Sequence, residues 1–168
     1  MIIIHSQHTG EVKLTQYEAD MAAQVGLRRH IESIYKGRYD HLNNGSTGWN
    51  EDIEGAAAEL AVAKLYGVYW DGSVNTFKKS DISFKVQVRS THLREGKLIV
   101  RDKDPDNDVY VLVTGQIPTF KVQGGMAGHQ AKQKEYLFNP PGVRQSKPAY
   151  FVPIKDLYLS VQDLISCF

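Results

Sequence analysis

Asp81, Gln87 and Arg89 stand in one alternating stretch, residues 80–91, whose apolar positions are Ile82, Phe84, Val86 and Val88. Strict period-two alternation marks a strand with one face against a core. If the stretch runs as a single extended strand, Asp81, Gln87 and Arg89 project from the same face. A carboxylate, an amide carbonyl oxygen and a fixed cation on one face can hold a divalent metal and a phosphate together. The same pattern also describes an edge strand with a solvated polar face.

The elements that must position these residues are legible by period. From residue 14 to about 35, Leu14, Tyr17, Met21, Val25, Ile31 and Ile34 recur at helical spacing. Thr15 with Glu18 three places on forms a capping box, so an amphipathic helix is expected, with Arg28, Arg29 and His30 near its far end. Residues 36–49 read as a loop with turn chemistry. Asn50 is the expected cap of a second helix over 51–66, ended by Gly67. Glu59 is the only charge in its centre, residues 55–63. Its helical neighbours Gly55, Ala56, Val62 and Ala63 offer no cation. A single charge in a face of small residues points to a buried Glu59; the other reading is a helix former turned to water.

Further on, strands are expected at 97–101, 109–114 and 118–123, which with the alternating stretch make a meander. Gly124, Gly125 and Gly128 break the sheet, a short helix follows over 129–137, and 139–148 is a loop. A last strand at 150–152 and a C-terminal helix from 154 complete the reading, with residues 2–4 a short first strand. The expected fold class is α/β, a mixed central sheet of four to six strands flanked by helices, in a single domain over 1–168.

Composition bounds the function. A net charge of +1 shows no global basic excess, so any nucleic acid must be held by a local patch. The one cysteine, Cys167, excludes an intrachain disulfide and a thiolate metal cluster. No apolar run reaches membrane-spanning length and the start is too short for a signal peptide, so reducing cytoplasm is the expected compartment. Neither a phosphate-loop pattern nor a Gly-x-Ser-x-Gly elbow is present. His5 and His8 lack a matched pair for zinc. Asp102, Asp104, Asp106 and Asp108 alternate like a calcium loop, but Asn107 replaces the turn glycine and Val113 the closing Glu, so an exposed acidic turn is expected.

Taken in order, Glu59 on a helix, Asp81 opening a strand and Gln87-x-Arg89 on it resemble the PD-(D/E)XK nuclease superfamily, the restriction-endonuclease-like fold. The pattern covers residues 50–114 in order and spacing, and the elements that follow extend it to 137. It looks closest to small phage-encoded members, which implies a bacterial or phage-infected host cell. The resemblance implies DNA phosphodiester cleavage with Mg²⁺ or Mn²⁺, hard ions that prefer oxygen ligands, held by Glu59, Asp81 and Gln87. Arg89 would stabilise phosphate charge.

The sequence departs from the family pattern at three places. Gln87 stands where an acid is usual and Ser80 where a Pro is usual. Arg89 replaces Lys and cannot give up its proton near neutral pH. The alternative is therefore a catalytically inactive nuclease-fold module that binds nucleic acid or a protein; a third reading makes Glu59 and Arg89 a buried structural ion pair. Backbone contacts are expected from Arg94, Lys121, Lys132, Lys134 and Arg144, interleaved with Tyr136, Phe138 and Tyr150 for base stacking. A basic surface over core aromatics is the plainer account of that region.

Overall fold

The computed structural model describes residues 10–37, 48–74, 85–138 and 148–158. A short strand β1 (Gly10–Lys13) leads into α1 (Gln16–Tyr35), and the capping box forms as its sequence predicts. Thr15 Oγ1 accepts the Glu18 N–H at 3.3 Å, and Glu18 Oε2 accepts the Thr15 N–H at 2.7 Å. Lys64 Nζ, near the end of α2 (Gly48–Tyr66), donates to the same carboxylate at 2.7 Å. That hydrogen bond, followed by the one from Thr15, holds the Glu18 carboxyl below its ordinary range.

Helix α2 starts two residues before the expected Asn50 cap, so Asn50 lies inside its first turn. Packing against α1 sets this start. A Cβ on Gly48 would stand 2.6 Å from His30 Cε1, and Trp49 lies on the His30 ring at 4.1 Å. His30 is buried, its Nδ1 2.7 Å from Asp52 Oδ2. The far end follows the sequence: Gly67 takes φ +65°, which an L side chain resists, and Val68 N–H reaches Ala63 O at 3.0 Å.

The face by which α1 meets α2 differs from the expected one. Ala22, Gly26 and His30 are buried, whereas Tyr17, Met21, Ile31 and Ile34 are exposed. The reason is the closeness of the approach: a Cβ on Gly26 would stand 2.5 Å from Ile53 Cα. Two backbones this near leave no room for large side chains between them, so these turn outward.

Two sheets lie beneath the helices. The first has the order β1-β5-β4-β2, with β2 (Val86–Thr91), β4 (Val109–Gln116) and β5 (Thr119–Ala127). Strand β2 runs parallel to β4, pairing Val86 with Val109 and Arg89 with Leu112, while the other pairs are antiparallel. The second sheet has the order β3-β7-β6, from β3 (Leu98–Arg101), β6 (Leu137–Phe138) and β7 (Ala149–Val152). The expected meander is thus corrected. After β2 the chain turns out of the first sheet, because Leu98 and Val100 bury themselves with Tyr110 and Leu112 on that sheet's other face. The architecture is mixed α/β, with two cores. Val109, Val111 and Val113 pack under the alanines of α2, and Tyr110 and Leu112 pack on the second sheet.

Two expected breaks move. Strand β5 continues through Gly124 to Ala127, since Gly124 takes φ +127° and leaves room for the Tyr158 carbonyl, 2.5 Å from where a Cβ would sit. In place of one helix over 129–137 there are a four-residue α3 (Gly128–Ala131) and a 3-10 turn at Lys134–Tyr136. The expected C-terminal helix from 154 starts only as a 3-10 turn at Ile154–Asp156, after which Leu157 is extended. Its remainder beyond 158, the expected strand at 2–4 and most of the loop at 36–49 lie outside the described residues. No described helix is long and apolar enough to cross a membrane.

The Gly26 contact makes a measurable demand. Gly26→Ala forces backbone against backbone at the α1–α2 crossing and should destabilise by about 1–3 kcal/mol. Thermal unfolding should show a midpoint lower by roughly 2–10 °C. An unchanged midpoint would mean the two helices are not packed this closely.

Candidate functional site

Glu59 is buried, 6% exposed, as its setting among alanines predicts. Its partner comes from the other helix. Arg29 Nη1 donates to Oε1 at 2.6 Å and Nη2 to Oε2 at 2.8 Å, a two-pronged pair. Trp70 Nε1 donates to Oε2 at 3.1 Å, and Arg29 Nε donates to the Ser73 carbonyl at 2.9 Å. Glu59 therefore ties α1, α2 and the segment after α2 together. The third reading named the right acid and the wrong cation, because a charge with no partner on its own helix found one across the helix interface.

Gln87 and Arg89 do share a face of β2, and it is the face away from α2. Val86 and Val88 pack in the core under α2. Alternation turns Gln87 and Arg89 to the side of Tyr110 and Leu112, and the Arg89 guanidinium lies over the Tyr110 ring at 5.2 Å. The first sheet thus stands between Glu59 and the Gln87–Arg89 pair. Asp81 lies outside the described residues. The single strand over 80–91 is also interrupted: Lys85 takes φ +62°, and β2 begins only at Val86. Simple alternation therefore cannot carry the face of Gln87 back to Asp81.

The acidic turn after β3 is directed onto β2. Asp104 Oδ2 accepts from Arg89 Nη2 at 3.1 Å and from the Arg101 N–H at 2.9 Å. Asp108 Oδ2 accepts from Gln87 Nε2 at 3.1 Å. Lys132 Nζ donates to the Asp102 carbonyl at 2.8 Å and to Asp106 Oδ1 at 2.7 Å, and also reaches the Asp104 carbonyl. Burial, then the Asp104 and Asp108 carboxylates, push the Tyr110 phenol above its ordinary value, and its hydroxyl donates to the Pro105 carbonyl at 3.0 Å. The turn is exposed at Asp102 and Asp106, as the Asp alternation leads one to expect, while Asp104 and Asp108 are half-buried and held by protein donors.

The expected basic patch is dispersed. Lys132 is spent on the turn, Lys134 is exposed on the 3-10 turn, and Arg144 lies outside the described residues. Arg94 and Lys121 do come together, with His92, around a hollow of about 500 Å³ at the ends of β4 and β5. A second hollow, of about 480 Å³, lies between β2 and β3 and is lined by Arg89, Ser90, Thr91, Lys97, Arg101 and Phe151 among others, with Glu95 as its acid. Phe138 meets Phe151 edge-on at 5.1 Å beside it. Lys97 and Arg101 escaped the sequence reading, although β3 alternates buried Leu98 and Val100 with exposed Ile99 and Arg101. That alternation was the signal that places Lys97, Ile99 and Arg101 on one outer face.

Chemically, the arrangement offers cations and hydroxyls at a hollow with an aromatic wall. As ligands of one shared ion, Glu59 and Gln87 do not fit: both Glu59 oxygens are held by Arg29, and the sheet separates them. Among the described residues no group of three or more His, Cys, Asp or Glu is placed to hold a metal.

Removing Arg29 would leave a carboxylate buried without its guanidinium. Arg29→Ala should cost roughly 3–5 kcal/mol in urea denaturation, and Arg29→Met with Glu59→Leu should recover most of it. A loss below about 1 kcal/mol in Arg29→Ala would show that water reaches Glu59 freely. Comparison with family models, curated proteins and solved structures finds no match to this chain.

Proposed function

We propose that the chain is a DNA-binding module built on a nuclease-like order of residues, and that it holds a single strand in the hollow between β2 and β3 without turning it over. The observation that carries this reading is the lining of that hollow: Arg89, Lys97 and Arg101 around one space, against Glu95, with Phe151 as a wall. Cations that follow a backbone and an aromatic face that accepts an unpaired base are the two parts a single-strand site needs. Arg89 uses Nη2 on Asp104, and its position over Tyr110 fixes the guanidinium while leaving the side chain 31% exposed. A guanidinium held in place loses less freedom when it grips a phosphate. Ser90 and Thr91 add hydroxyls on the same rim.

The restriction-endonuclease-like assignment rests on the order of Glu59, Asp81 and Gln87-x-Arg89. Metal-dependent cleavage is the second reading. What favours it is the pairing of Gln87 with Asp108, which sets a carboxylate beside the carboxamide on the face of Arg89. Against it stand the Arg29–Glu59 pair and the loss of the family's acid at Gln87 and Lys at Arg89. With Mg²⁺ or Mn²⁺, a labelled oligonucleotide should stay intact under the binding reading. Cleavage abolished by Asp81→Ala or Asp108→Ala would replace that reading with the second.

Binding is tested with fluorescent oligothymidylate over a salt series. Wild type should bind with strong salt dependence, and Lys97→Ala with Arg101→Ala should weaken it by about tenfold or more. The slope of log affinity against log salt should shrink by roughly 1.4, about 0.7 for each lost contact on a single strand. Phe151→Leu should weaken binding by about tenfold without changing the slope, because stacking is not ionic. No binding at low salt, or variants that bind like wild type, would defeat the proposal.

A further inference from the structure

Helix α1 is apolar on two sides. Its inner side meets α2 through Ala22, Gly26 and His30. On its outer side Tyr17 and Tyr35 are 87% and 88% exposed, and Met21, Leu27, Ile31 and Ile34 are 40–48% exposed. Six large apolar residues on one exposed helix side, interrupted by Asp20, Gln24 and Arg28, mark a contact with another molecule. The exposed positions of α1 fall at 16–17, 20–21, 24, 27–28, 31 and 34–35. These positions recur once per turn, so they form one continuous side of the helix along which a second helix can lie.

We propose that a second copy of the chain covers this stripe, the two α1 helices running antiparallel about a twofold axis at Gln24. The argument for a second copy is self-complementarity. Counting outward from Gln24 by three, four and seven residues sets Met21 opposite Leu27, Asp20 opposite Arg28 and Tyr17 opposite Ile31 of the other copy. Asp20 and Arg28 are the only charged residues among the exposed stripe positions 17–35. They lie two turns apart, roughly 12 Å along the axis, too far to pair within one helix. The antiparallel arrangement gives each an opposite charge in the partner, twice over. A parallel arrangement would set like charge on like charge. The twofold contact is the same patch on both copies, so it closes at a dimer and leaves no free end for a filament.

The whole 168-residue chain tests this directly. Sedimentation at roughly 100 µM should give twice the 18.9 kDa mass of the chain. Ile31→Glu, at an exposed position, should weaken dimerisation at least tenfold with an unchanged circular-dichroism spectrum. Asp20→Arg should weaken it as well, and Asp20→Arg combined with Arg28→Asp should restore it. In a Cys167→Ser background, Gln24→Cys should form an intermolecular disulfide on mild oxidation, because Gln24 faces itself across the axis. A wild type of single-chain mass would overturn the proposal, whether the stripe is then covered by another part of the chain or by a different molecule. So would a dimer that survives Ile31→Glu, or a charge swap that fails to rescue.

Discussion

The paired contact between Arg29 and Glu59 is the constraint on which the helical layer rests. A carboxylate almost fully withdrawn from water is costly by several kcal/mol, and attraction in the interior offsets that only when the geometry is good. Here both oxygens meet the planar fork, a third donor comes from Trp70, and the guanidinium spends its Nε on a backbone carbonyl. The pair also explains the residues around it. Its short reach fixes α1 close to α2, so Gly26 lies against the Ile53 backbone. Substituting Lys for Arg29 would give one donor direction in place of the fork, and the contact to Ser73 would be lost.

That closeness decides where the remaining polar residues stand. With α2 flat on one face of the first sheet, the valines at alternate positions of β2 and β4 are committed to that side. Gln87, Arg89 and Tyr110 are then committed to the other, where the acidic turn and β3 enclose them. Glu59, on the helical side, is separated by the first sheet from the amide of Gln87 and the guanidinium of Arg89, which share the other face. Each is satisfied on its own side. The chemistry left open to solvent is that of exposed cations on β3 and the ends of the hairpin.

What could be read from the sequence was what is local. The capping box, the Gly67 stop, the strands at Val86–Thr91 and Val109–Gln116, and the burial of Glu59 each depend on residues a few places apart. The partner of Glu59 lies 30 residues away, and nothing within α2 indicates it. The outward turn of the large residues of α1 follows from a packing distance, which periodicity does not encode. Leu98–Arg101 reads as a strand, but whether it pairs with β4 or leaves for a second sheet depends on β7, some fifty residues later. Lys85 is a different case: its left-handed backbone breaks an alternation that looks continuous, and no glycine marks the place.

Two surfaces that folding does not explain are placed on different layers. The outer side of α1 belongs to the helical layer, whereas the hollow of Arg89, Lys97, Arg101 and Phe151 opens between β2 and the second sheet. Helix α2 and the first sheet lie between them, so an occupant of one does not cover the other. Two chains joined through α1 would therefore present two hollows, both uncovered. For a flexible single strand this matters more than the strength of either hollow. The second contact becomes intramolecular, and its gain is set by the length of strand between the sites. A strand too short to span the pair would bind as to a single chain, and one long enough would bind more tightly without any new contact in either hollow.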